Sequence, residues 1–150
     1  RRLLLEQTAD SSNKYLLSIV EEPEENLFPT SQREILNSLL AYTSVGNNKL
    51  LLTTHSPYIL NYLALAIKAW NVSKKVDDEE LRKRLYAIVP AGAQINGEDV
   101  SVYQIDGRGV ITALPSYDGM PSDDNYLNNM LAECNDLFND LLDVEERCEE

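Results

Sequence analysis

Residues 15–29 read YLLSIVEEPEENLFP, and how this stretch is read decides the fold. An uncharged run climbs to Ile19 and Val20, then meets Glu21, Glu22 and Glu24 around one proline. A short continuous apolar run bounded by turn residues reads as a strand buried on both faces, the habit of parallel sheets. Residues 14–20 are therefore expected to be such a strand. Two adjacent carboxylates stand at its carboxyl end, and Pro23 starts a sharp turn.

Working outward, the same unit recurs once. Pro29 leads into a segment where Ile35, Leu36, Leu39 and Leu40 fall on one helical face, with Thr30 or Ser31 as the expected cap. Gly46 and the two asparagines after it stop that helix. KLLLTT at 49–54 is a second apolar strand, ended by His55, Ser56 and Pro57. Ser56 is placed to cap the next helix, with Pro57 at its first position. Strand, helix, strand, helix with continuous apolar strands indicates an α/β parallel sheet.

The second half changes character. A short charged helix is expected over 77–84 and a strand over 85–89, LYAIV. VSVYQI and GVITAL flank Asp106-Gly107-Arg108-Gly109, a hairpin signal. From Asp123 on, Leu127, Met130, Leu131, Cys134, Leu137, Phe138, Leu141 and Leu142 mark a long amphipathic helix with an acidic outer face. Residues 1–7 read as the end of a helix and 10–13 as a polar turn. There is no internal repeat and no long linker, so residues 1–150 read as one domain, with the strand ends in 1–70 and the later strands and acidic helix in 71–150.

Composition excludes several classes. At 150 residues with 43% hydrophobic content the chain can bury a real core. Its net charge of −12 is concentrated: from Tyr117 onward eleven acids face one base, Arg147. Such a tail repels phosphate backbones, so DNA is not expected to bind through this chain. Cys134 and Cys148 match no metal spacing and read as thiols in a reducing cytosol rather than a disulfide. No apolar run reaches membrane-spanning length and no signal peptide is present, so the expected location is cytoplasmic, without membrane contact. The chain opens on Arg1 rather than Met, which reads as a cut or processed end.

The chemistry gathers at the strand ends. The carboxyl ends of parallel strands open onto the crevice where α/β sheets bind ligands. Two consecutive side chains there point different ways, so one carboxylate can reach hydrated magnesium and the other can deprotonate an attacking water. His55, the single histidine, ends the very next strand, 33 positions after Glu22, the length of one strand–helix–strand crossover. The lone histidine and the glutamate pair are therefore expected along one edge of the sheet. A surface acidic turn and a helix-capping histidine are the bland alternatives.

YLLSIVEEPEENLFPTSQ followed by KLLLTTHSPYIL resembles the carboxyl-terminal half of an ABC-type ATPase head. The soluble branch is the nearest in kind: AAA-15 and AAA-21 ATPases, overcoming-lysogenisation-defect proteins and, more distantly, SMC and RecF heads. The resemblance implies a partial P-loop NTPase sheet, with LLSIVE as its Walker B strand. It assigns Glu21 to Mg2+ through water, Glu22 to the catalytic base for ATP hydrolysis, and His55 to the γ-phosphate. Glu24 to Pro29 fill the D-loop, in which Glu25, Asn26, Leu27 and Phe28 would meet a partner head. Phe28 stands where this branch often has a histidine. The resemblance also implies a homodimer of heads in the parent protein, acting on DNA or in phage defence. No G-x-x-x-x-G-K-[ST] and no Ser-Gly-rich signature occur, so the chain reads as half of a nucleotide-binding domain, and alone it is expected to be inactive. A nuclease extension is not indicated, because Glu98 follows Gly97 and no Asp-x-Asp is present. The alternative reading is an interaction module, without catalysis of its own, that docks on a chain supplying the phosphate-loop lobe.

Overall fold

Leu17–Glu21 (β1) and Lys49–Thr53 (β2) run parallel, Leu17 opposite Lys49 and Glu21 opposite Thr53. The computed structural model describes residues 16–149, with side chains to 148. The helix end at 1–7, the turn at 10–13 and the first residues of the leading strand lie outside the described residues. Parallel strands need a crossover, here Pro29–Thr43 (α1), which returns the chain to the start of β2.

The side chains of both strands alternate between half-buried and exposed. Leu52 packs on the helices, whereas Leu17, Leu51 and Ile19, the last 63% exposed, lie open on the other face. Burial on both faces is thus not met among the described residues. Continuous apolar sequence shows what a strand tolerates on each face; it does not supply the second covering layer.

Expected caps divide in two. Ser56 caps Pro57–Ser73 (α2), accepting from the Tyr58 N–H at 3.2 Å with Pro57 in the first turn. Neither Thr30 nor Ser31 caps α1, because the helix begins at Pro29 with Phe28 as its uncapped flank. Pro29 itself starts the helix, since its fixed φ suits the first position and it has no N–H to satisfy.

The strand expected over 85–89 is instead the end of a helix, Glu79–Ile88 (α3). Asp78 caps it, accepting from the Leu81 N–H at 2.8 Å, and Glu79 and Glu80 favour its positive end. Once nucleated, the helix runs through Leu85, Tyr86 and Ala87, and Leu85 and Val89, four apart, are both buried. Leu36, Leu40, Ile59, Ala66, Ala69, Leu85, Val89 and Ala93 form the core. Each large one contributes about 1.5–3 kcal/mol over leaving it in water.

The chain divides into two units, residues 16–100 with Asp118–Met120, and Ser101–Tyr117 with residues 121–149. In the first, Gly97 and Gly119 touch so closely that a Cβ on Gly97 would sit 2.5 Å from the Gly119 Cα. Neither tolerates a side chain.

The second unit contains the expected hairpin, Tyr103–Ile105 (β3) antiparallel to Ile111–Ala113 (β4). Asp106 organises its turn. The Val110 N–H, then the Arg108 guanidinium and N–H, hold its carboxyl below the usual value. The expected long helix runs Tyr126–Glu149 (α4; β5, Ser116–Tyr117, and β6, Met120–Pro121, precede it). Its start is fastened by buried Asn125, which accepts from the Asn128 N–H at 3.1 Å. Cys134 and Cys148 on α4 are free and exposed. No helix among the described residues is long and apolar enough to cross a membrane.

Candidate functional site

The parallel register sets Glu21 beside Thr53 at the carboxyl end of the strand pair. Glu22 extends the ladder by one bond, donating its N–H to the Thr53 carbonyl at 3.0 Å. Its φ is then +42°, in the left-handed region that costs an ordinary side chain about 1–2 kcal/mol. Glu22 thus leaves the strand conformation that Glu21 still holds. The Glu22 Oε1 lies 3.4 Å from the His55 Nε2, with the imidazole 84% exposed. Sequence reasoning placed these two residues on one edge, and the structure brings them into contact.

Beyond Glu22 the chain makes two successive tight turns, closed by Glu25 N–H to the Glu22 carbonyl at 3.0 Å and Leu27 N–H to the Glu24 carbonyl at 2.9 Å. Asn26 adopts φ +61° within them. Glu25 and Asn26 are exposed, Leu27 is half-buried and Phe28 is 80% exposed. The four residues assigned to a partner contact therefore lie on the surface of the turn or at its edge.

Glu24 was missed as a site residue in its own right. Its Oε1 accepts from the Thr54 hydroxyl at 2.6 Å and from the His55 backbone N–H at 2.8 Å. It thus fastens the glutamate turn to the segment carrying the histidine. Its other oxygen, Oε2, is buried without a protein partner among the described residues. A second tie lies deeper: the buried Ser56 hydroxyl donates to the Gln32 Oε1 at 2.6 Å, and the Gln32 Nε2 donates to the Leu27 carbonyl at 3.0 Å. Nothing in the spacing of Glu24 or Gln32 shows that they reach across to 54–56, because those partners become neighbours only when β1 and β2 pair. The helix-capping alternative for His55 is set aside, since Ser56 makes the cap.

Chemically, the edge offers carboxylates that differ in freedom. Glu21 and Glu22 are exposed and available, while Glu24 is engaged. Among the described residues no group of three or more histidine, cysteine or acidic side chains converges to cage a metal. Hydrated magnesium does not need such a cage, since it keeps several waters and takes one or two carboxylates plus phosphate oxygens. An exposed glutamate at a strand end fits that role.

The Glu22 backbone supplies a direct check on the local strain. Glu22→Gly is expected to be more stable to urea than Glu22→Ala by about 1 kcal/mol, because glycine adopts positive φ without penalty. Equal midpoints would show that the turn is unstrained.

Residues 2–60 match the family model of the AAA-15 type, described as an AAA ATPase domain. Curated proteins and solved structures give no match. The matched segment contains β1, the glutamate turn, α1, β2 and His55. The match supports an ATPase-type function, which implies use of a nucleotide and typically of Mg2+. Residues 2–60, with the carboxylate pair and the histidine, are thus similar to an AAA ATPase domain of the AAA-15 type.

Proposed function

We propose that this chain supplies the hydrolytic side of an ABC-type, Mg-dependent ATPase head. The observation that carries the reading is the 3.4 Å approach of Glu22 to His55 at neighbouring parallel strand ends. Glu21 would hold magnesium through water, the ion offsetting the charge of the phosphates. Glu22, within 3.4 Å of His55, would take the proton of the attacking water. His55, held through its backbone by Glu24, would meet the γ-phosphate. Residues 25–28 would meet a second head in a homodimer, with exposed Phe28 foremost.

The 150 residues contain no phosphate loop, so the proposal requires a lobe bearing G-x-x-x-x-G-K-[ST] from sequence outside them. The branch's setting is cytoplasmic work on DNA or in phage defence, with contacts to DNA made elsewhere than on this acidic chain.

Incubated alone with Mg-ATP, the chain is expected to show no turnover above background. Joined to a phosphate-loop lobe, in one polypeptide or as a complex, it is expected to hydrolyse ATP. Turnover by the chain alone that vanishes in Glu22→Gln would refute the split site. A complex whose turnover ignores Glu22→Gln would instead favour a docking module without catalysis of its own.

A further inference from the structure

We propose that α4 is a docking helix for a basic amphipathic helix of another protein chain. Within Tyr126–Glu149, Leu127, Met130, Cys134, Leu137, Leu141 and Val144 recur at alternating spacings of three and four. That is the a and d pattern of a heptad, which keeps one seam facing one partner helix. Leu131 and Phe138 widen the seam on one side.

The seam is open over most of its length: Phe138 is 61% exposed, Leu141 66%, and Val144 is similar. An isolated helix gains little from its own hydrogen bonds and draws its stability from packing an apolar face. Exposed apolar stripes of this extent mark contact surfaces.

Charge identifies the occupant. Residues 126–149 contain seven acids and one base. Glu133 and Asp140 line one flank of the seam, and Glu145 stands on the other. A second copy of α4 fits poorly in either direction. Parallel pairing sets Asp140 against Glu145 of the other copy, and antiparallel pairing, with a layers facing d layers, sets Glu133 against Asp140. Like charges flanking a heptad seam specify against that pairing, and opposite charges specify for it. A helix with an apolar stripe between Lys or Arg flanks satisfies both the seam and its margins.

The test uses the whole 150-residue chain and two synthetic helices of about three heptads. Both have Leu at a and d; one has Lys on its flanks and the other Glu. Isothermal calorimetry is expected to detect the Lys peptide and not its Glu twin, with binding weakening as NaCl rises from about 0.05 to 0.5 M. The double variant Leu137→Glu/Leu141→Glu is expected to weaken the Lys peptide by at least about tenfold. Both side chains are exposed, so its circular dichroism should match the parent's. This variant adds negative charge, so binding that survives or strengthens would reveal mere charge attraction and overturn the proposal. So would equal binding of the two peptides, or no binding of the Lys peptide at about 100 μM. Sedimentation of the parent as a dimer that the double variant dissolves, or an intermolecular Cys134–Cys134 cross-link on oxidation, would assign the seam to a second copy instead.

Discussion

Glu22→Gln is expected to abolish ATP turnover in the assembled head while leaving nucleotide binding intact. The substitution keeps the size of the side chain and its acceptor oxygen near His55, but it removes the group that can take a proton from water. Positioned general bases contribute about 10²–10⁴ in rate, so single-turnover hydrolysis should fall by that factor. Glu21→Gln should act differently, raising the magnesium concentration needed for half-maximal turnover, because its proposed work is to hold the hydrated ion. Turnover within about threefold of the parent in Glu22→Gln would remove that residue from the chemistry, since general-base loss costs far more. The φ of +42° at Glu22 gives a reason to expect the base there. Strain of this kind persists at positions where function needs a side chain aimed off the regular course of a strand.

Glu24→Ala is expected to cost about 2 kcal/mol of stability, and it should loosen His55 as well. The change deprives the Thr54 hydroxyl and the His55 N–H of their shared acceptor. Hydrogen bonds to a carboxylate are worth more than neutral ones, but the unpartnered Oε2 already carries a desolvation cost that the truncation removes. The two effects oppose each other, which keeps the estimate below the sum of two charged bonds. Glu24→Gln retains one acceptor oxygen and should lose less than about 1 kcal/mol. Urea midpoints order the three proteins, and the His55 amide resonance reports whether the loop is still held. An alanine variant within about 0.5 kcal/mol of the parent would show that the tie does not matter to stability. In the assembled head the same variant should also slow turnover, because the histidine would lose the bond that fixes its backbone.

Several features were legible because their causes are local. The turn at Asp106 follows from one carboxylate accepting bonds from its own loop, and Ser56-Pro57 announces a helix start whatever surrounds it. α4 was readable from its spacing alone. The segment at 85–89 misled for the opposite reason. LYAIV favours a strand by composition, yet it follows a capped, acid-led helical turn, and propagation from an existing nucleus costs less than starting a new element.

For the site, sequence by itself determined the carboxylate pair, the histidine and their placement at the ends of consecutive parallel strands. Those follow from residue types and from the length of one crossover, both properties of the chain read in order. Tertiary structure alone decided that Glu22 turns out of line toward His55. It also decided that Glu24 and Gln32 tie the glutamate turn to residues 54–56, and that one face of the strand pair stays open. Each of these depends on which groups become neighbours when β1 meets β2 and on which layers cover them. Hydrogen-bond partners and burial are relations between distant segments, and no local pattern encodes them.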